Sequence, residues 1–290
     1  WARQNDCRLN KFFPMITSMT HHPFPPPSGP WIQEHTWHDL LFAHWPVPLE
    51  LLRRLVPAPI QIDTFDGQAW IGVIPFRLSN IHLRGMPPLP VVSAFTELNV
   101  RTYVTQKGTP GVWFFSLDAD SLFNVLVARH WYKLSYFYSQ MLVVHEDETV
   151  HFSSRRREGA PPTPEFRASY RPVGKTFQAR PGSLEHWFTE RYCLFARGRR
   201  GRIFRGDIHH TPWPLQRAEA EFQANTMTLP IGIKLRHASP TLLFARKIDV
   251  LIWPPRRVCQ PGQDGQGHPK ILGSIGESKN SRLKFGSCFH

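Results

Sequence analysis

Cysteine is scarce in this chain, and its placement excludes more than its number does. Of four cysteines in 290 residues, Cys7, Cys259 and Cys288 lie in the terminal segments and only Cys193 lies in the body. No Cys-x-x-Cys and no Cys/His spacing suited to zinc occurs, so neither a disulfide framework nor a metal centre is expected, and no cofactor is assigned. Long apolar runs are missing as well. None approaches the roughly 18 residues that a membrane-spanning helix needs, and no segment has the make-up of a secretory leader. No membrane partner is expected, and the expected compartment is the reducing cytoplasm. Acid is under-represented: 22 Asp and Glu stand against 35 Lys and Arg, a net charge of +13. Residues 1–18 hold +2 of this and residues 256–290 hold +4, which leaves +7 on the body. With no nucleic-acid motif beside it, that charge reads as a solvated basic surface, and no nucleic-acid partner is expected.

What is present is apolar and turn-rich. A content of 41% hydrophobic and 20% charged residues places the body among globular chains. The 28 prolines favour short strands over long helices, and ten Trp with 21 Phe can fill a large core. Residues 1–29 read as a disordered N-terminal extension. Within it, Met15 or Met19 is the expected natural start, and residues 1–18 are expected to derive from upstream sequence. Residues 256–290 are rich in Gly, Ser and Lys without a repeating apolar face. They read as a disordered tail, frameshifted or read through, because such a composition buries too little surface to offset chain entropy. A single domain is expected over residues 30–255.

Within that body, LLFAHWPV reads as a strand leading into a short helix at Pro48, where Leu49, Leu52 and Val56 share a face. Asp66-Gly67 marks a tight hairpin joining IQIDTF to QAWIGVIPF. Strands are expected over Phe95–Val104, Val112–Asp118, Trp131–Val144, Val150–Arg156 and Glu165–Pro172, with a helix over Leu122–His130. A helix over Ser183–Phe188 is announced by Pro, an N-cap Ser and an early acid. RYCLFAR, GRIFRGDIHH and TLLFARKIDVLIWP complete the strands, while PWPLQRAEAEFQANTM reads only as helix-poor. Many short strands with turn signals between them predict a mainly β fold, a closed or nearly closed barrel with a few covering helices.

Three blocks carry a family resemblance: LLRRLVPAPIQIDTFDGQAWIGVIPF (Leu51 to Phe76), the stretch from Ala94 to Met141, and FTERYCLFARGRRGRIFRGDIHHTPWPLQRAEAEFQANTM (Phe188 to Met227). Together they resemble the uncharacterised bacterial YqjF-like family, domain of unknown function 2071, grouped with the acetoacetate decarboxylase-like fold. That resemblance implies a β-barrel with an internal pocket for a small organic molecule. The decarboxylases carry Gly-Arg-Glu and, four residues on, Pro-Lys-Lys, whose first Lys forms the Schiff base. Here those positions fall on Ala128-Arg129-His130 and Ser135-Tyr136-Phe137. The Arg survives and both lysines are gone. A phenol cannot form an iminium, and Lys133 has the opposite strand parity to Tyr136, so a Schiff-base mechanism is not expected. The decarboxylase Arg that binds the substrate carboxylate falls near His38.

Strand alternation puts Glu97, Asn99, Arg101 and Tyr103 on one face and Leu98, Val100, Thr102 and Val104 on the other. The Thr96-Glu97 match implies that the Glu97 face looks into the cavity. Glu97 could then orient a substrate or act as general base, with Arg101 holding its charge or an anionic ligand; a structural Glu–Arg pair or a solvent face explains the same residues. Arg129 could be a second anion contact, a helix-terminal surface arginine or an internal salt-bridge partner of Glu97, and Tyr136 a hydrogen-bond donor to a carbonyl or a core tyrosine. Glu97, Arg129 and Tyr136 are thus the catalytic candidates. Asn99, Arg101, Tyr103, Glu190, Tyr192, His209 and His210 are the ligand-binding candidates, with the adjacent histidines facing opposite ways so that one of them reaches the cavity. Three functions remain open: a barrel enzyme for a carbonyl or carboxylate compound, a non-catalytic sensor or carrier, and a structural protein with internal salt bridges. Oligomeric state is left open.

Overall fold

A computed structural model of the protein describes residues 21–89, 93–131, 134–197, 202–235 and 239–258. Its strands are β1 (Gln33–Val47), β2 (Gln61–Ile62), β3 (Ala69–Leu83), β4 (Phe95–Gln106), β5 (Thr109–Ala119), β6 (Tyr136–Glu146), β7 (Thr149–Arg156), β8 (Glu165–Phe177), β9 (Cys193–Arg197), β10 (Ile203–His209), β11 (Leu215–Asn225), β12 (Thr241–Ile252) and β13 (Arg256–Arg257). Among the described residues three short α-helices interrupt them: α1 (Leu49–Arg53), α2 (Leu122–Trp131) and α3 (Leu184–Thr189). The mainly β expectation holds.

Pairing closes a ring of nine strands in the order β5-β6-β7-β8-β11-β12-β1-β3-β4 and back to β5. Two strands belong to more than this ring. β5 pairs with β6 through Leu117–Ala119 but with β9 through Val112 and Trp113. β12 pairs with β11 through Leu243–Ala245 but with β10 through Leu251 and Ile252. Since β9 and β10 pair with each other, a second ring of seven strands runs β12-β1-β3-β4-β5-β9-β10. The rings share five strands, whose side chains alternate between two interiors. The nine-strand ring is filled: Leu41, Ala43, Ile71, Val73, Leu98, Val100, Phe152, Phe166 and Phe244 form one cluster with every residue below a tenth exposed. The seven-strand ring encloses a cavity.

Local chemistry explains the elements that aim residues at that cavity. The β4–β5 hairpin closes on Lys107-Gly108, both at positive φ, the geometry whose twist matches paired strands. α3 starts at Ser183, whose hydroxyl accepts from the His186 N–H at 3.2 Å. In α1, Leu52 is fully buried and Val56 beyond it nearly so, as their shared face predicts.

Several expectations are corrected. Asp66-Gly67 does form a tight turn, with Phe65 and Gln68 exchanging backbone hydrogen bonds of 3.0 and 2.9 Å. The strand before it, however, pairs with β4 and not with β3, so no extended hairpin forms. The aromatic run expected as a strand from Trp131 starts only at Tyr136, since α2 continues to Trp131. QRAEAEFQAN is a strand, β11, paired to β8 along most of its length. Part of the arm expected to be disordered packs against the body. Phe24 lies against the larger core cluster with the Arg205 guanidinium 4.5 Å from its ring, and Trp253 Nε1 donates to the Gly29 carbonyl at 2.9 Å. A Pro-rich segment without periodicity still docks when it carries rings that bury apolar area. Residues 1–20 and 259–290, for which disorder was also expected, lie outside the described residues.

Candidate functional site

Every strand of the seven-strand ring contributes to the wall of a cavity of about 180 Å³. Most of the lining is apolar and aromatic, including Trp37, Phe42, Phe76, Phe114, Phe204 and Trp213. Against that wall the polar groups stand out. β4 supplies Glu97, Asn99 and Arg101, and the intervening Leu98 and Val100 point into the filled ring. The alternation read from sequence is therefore the alternation in the fold.

Glu97 is 4% exposed. Burial raises its carboxyl from 4.5 to about 8, and the buried Asp118 charge adds to the rise. Hydrogen bonds from Tyr136 and Asn99 pull the other way without prevailing. The Tyr136 hydroxyl donates to Glu97 Oε2 at 2.7 Å. At neutral pH the pair is a carboxylic acid beside a phenol, held between apolar walls. Asn99 Oδ1 is buried without a hydrogen-bond partner.

Arg101 lies four residues further along β4, so about 13 Å of extended chain separates it from Glu97. The Glu97–Arg101 ion pair considered from sequence does not form. Arg101 Nη2 instead donates to the Tyr103 hydroxyl at 3.3 Å and to the Phe188 carbonyl at 3.4 Å, while its Nε is buried without a partner. Tyr103 is fully buried, and its hydroxyl lies 2.5 Å from Nε2 of the buried His44. Burial and the Arg101 charge both push His44 well below its ordinary value, so it is a neutral acceptor for the Tyr103 proton. Tyr103 is a buttress behind the wall and does not line the cavity.

A second guanidinium reaches the same region. Arg191 lines the cavity, with Nη1 on Asp63 Oδ2 at 2.7 Å and Nε on the Trp187 carbonyl at 2.6 Å, and its Nη2 is buried without a partner. The Arg101 and Arg191 guanidinium carbons stand 5.6 and 5.0 Å from the Tyr103 ring centroid. Sequence reasoning missed Arg191 because it applied strand parity to Glu190 and Tyr192. Residues 190–192 form the coil between α3 and β9, where that parity does not hold.

Other candidates are relocated. Glu190 and Tyr192 bond to each other, and Glu190 Oε1 also accepts from the Trp213 N–H at 3.3 Å; neither lines the cavity. Arg129 does not line it either. Its Nε donates to the Tyr136 carbonyl at 2.7 Å and its Nη2 pairs with Glu158, so it ties the end of α2 to β6. Arg129 thus sits at the end of α2 with Glu158 as its partner. Beside the Phe137 ring, Arg156 grips Asp118 with two 2.7 Å bonds, both residues buried, and Ser139 donates to the same carboxylate at 2.8 Å.

The adjacent histidines do face opposite ways. His210 lines the cavity, and burial lowers it to about 3 while Nδ1 donates to the Thr211 carbonyl at 2.8 Å. His209 turns outward toward His21 and His22. His35 also lines the cavity, with both ring nitrogens buried and unpartnered, and was not singled out from sequence because its strand starts earlier than expected. No lysine lines the cavity among the described residues, and Tyr136 does line it. Lys133 lies outside the described residues.

Comparison with known proteins speaks for the family and the fold. The sequence profile of the DUF2071 family, described as an uncharacterized conserved protein, matches residues 34–249. The chain is 47% identical over 231 residues to the uncharacterized protein YqjF of Bacillus subtilis strain 168, spanning 80% of this chain and 94% of that one. Among solved structures it is similar to an acetoacetate decarboxylase-like enzyme from Sphingomonas wittichii RW1, with a TM-score of 0.57 at 12% identity over 82% of this chain and 98% of that one. It is also similar to the enduracididine biosynthesis enzyme MppR complexed with pyruvate, with a TM-score of 0.55 at 10% identity over 82% and 93% of the two chains. At such identities the two structures speak for a shared fold.

Proposed function

We propose that this chain, which belongs to the DUF2071 family of uncharacterized conserved proteins, binds a small carboxylate-bearing carbonyl compound inside its seven-strand ring and acts on it without a Schiff base. The observation that carries the reading is the pair of guanidiniums at one cavity, each with a buried N–H lacking a partner: Arg101 Nε and Arg191 Nη2. An unmet donor on a buried cation costs more than a satisfied one, and a ligand carboxylate would meet both. Asp63 offsets the charge of Arg191 only, so the pair remains net positive and favours an anion.

At the far end of β4, protonated Glu97 and the Tyr136 hydroxyl offer a neutral hydrogen-bonding pair for a carbonyl oxygen several bonds removed from the carboxylate. Glu97, with its carboxyl at about 8, can give a proton at neutral pH and take one back slightly above it, the range in which a general acid or base is most effective. The aromatic wall between the two ends would hold the carbon skeleton away from water. A carrier would use the same contacts without the proton transfer, and turnover of the bound compound separates the two. The complex of an MppR-type neighbour with pyruvate makes 2-oxo acids the first ligands to test.

The experiment is calorimetric titration with pyruvate, acetoacetate and a longer 2-oxo acid, against the wild-type protein and Arg101→Gln. Binding by at least one of these in the wild type, weakened tenfold or more in Arg101→Gln, is the expected result. No binding by any of the three, or equal binding by the variant, would remove the anion-site reading.

A further inference from the structure

Behind the cavity wall, on the opposite face of β10 from His210, three histidines meet. His209 comes from the end of β10, and His21 and His22 come from the N-terminal arm. One potential ligand nitrogen from each lies within 4.8 Å of the others. His22 Nε2 is 2.7 Å from His209 Nδ1, and His21 Nε2 is 3.0 Å from the His210 carbonyl oxygen. We propose that His21, His22 and His209 form a divalent transition-metal site that fastens the N-terminal arm to β10.

Two features favour a metal over plain packing. First, the carbonyl of His210 can only accept, so His21 Nε2 is the protonated nitrogen and the lone pair of that ring sits on Nδ1. A second hydrogen bond of this kind is what orients a ligating imidazole. Second, His22 Nε2 and His209 Nδ1 point at each other at 2.7 Å, so an ion seated between the rings would take a lone pair from each. The ring of Tyr192 holds the cluster in place, stacking on His22 at 3.8 Å and on His210 at 4.5 Å between centroids, with its hydroxyl bonded to Glu190.

Imidazole-only donor sets suit Zn²⁺, Co²⁺, Ni²⁺ and Cu²⁺. With metal–nitrogen bonds of about 2.0–2.1 Å, ligand nitrogens on a tetrahedral ion lie about 3.3 Å apart. Loading therefore replaces the His22–His209 hydrogen bond by a small outward shift and draws His21 inward. The arm can supply this movement, since its attachment to the sheet is through side chains. Three protein ligands leave a fourth position to water.

The test uses the full chain, stripped with EDTA and titrated with Co²⁺ at neutral pH. Visible ligand-field absorption reports nitrogen coordination, and elemental analysis after dialysis reports stoichiometry. The expected result is one Co²⁺ per chain in the wild type and in His151→Ala, a histidine on β7 away from the cluster, with loss of the bound ion and of the absorption in His22→Ala and His209→Gln. His22 lies on the arm outside the sheet, so His22→Ala can be read even if His209→Gln fails to fold. A wild-type protein that retains no Co²⁺, or a His22→Ala variant that retains as much as the wild type, would overturn the proposal.

Discussion

Replacing Glu97 with Gln removes one proton-binding group and leaves the shape of the cavity nearly unchanged, so its effect on stability can be worked from the site. The folded protein keeps the Glu97 proton to about pH 8, whereas an ordinary carboxylate releases it near 4.5. Between those values the folded state binds more protons than the unfolded chain, and stability falls as pH rises. Each pH unit in the window costs about 1.4 kcal/mol, so the full penalty, reached above pH 8, is about 5 kcal/mol, and about 3 kcal/mol of it is present at pH 7. The Gln amide does not titrate and can still accept from Tyr136. Other buried groups oppose this trend: His35 and His210, lowered to about 3, make the protein more stable as pH rises toward neutrality. They are common to both proteins and cancel in the difference. The measurement is therefore the melting temperature of Glu97→Gln minus that of the wild type, from pH 4 to 9. At 2–4 °C per kcal/mol for a domain of this size, the difference should grow by on the order of 10 °C across the window, with the variant ahead at the alkaline end. A flat difference between pH 5 and 8 would mean that Glu97 is ionised in the fold, and with it the acid–phenol pair would fall.

Other outcomes follow from neighbouring contacts. Arg156→Ala strands the fully buried Asp118 without a counter-charge, which should cost about 3–5 kcal/mol in urea unfolding; a loss below 1 kcal/mol would mean that water reaches Asp118. Gly111→Ala would place a methyl group 2.7 Å from Cys193 Sγ and 2.8 Å from the Cys193 carbonyl oxygen. It should loosen the β5–β9 seam and destabilise by about 1–3 kcal/mol, and an unchanged melting temperature would refute that tight approach. Borohydride with acetoacetate should leave no adduct detectable by mass spectrometry, because no lysine lines the cavity among the described residues; an adduct mapped to Lys133 would restore imine chemistry.

What could be read from sequence followed the reach of the interaction. The alternation along Phe95–Val104 is a property of a single strand, and Glu97, Asn99 and Arg101 emerged on the predicted face. The cap at Ser183 and the turn at Asp66-Gly67 are similarly local. Contacts made across the sheet were not legible. The pairing of Gln61–Ile62 with β4 depends on tertiary placement. The polar alternation of β11 gave no apolar signal, because only one of its faces packs. Arg129 has two acceptors waiting in the fold, Glu158 and the Tyr136 carbonyl, neither of which is apparent from its helix. Arg191 and the His21–His22–His209 cluster depend on a coil and an arm with no periodicity at all.

The five strands common to both rings make a party wall, one side of it in a solid room and the other in a hollow one. Along β4, consecutive residues answer to different demands: Leu98 and Val100 must fill space, while Glu97, Asn99 and Arg101 need only suit whatever enters. Substitutions on the hollow side leave the solid side's packing untouched, and no side chain is required to serve both. Such a scaffold can exchange one recognised compound for another by single changes on alternate positions while its walls continue to stand.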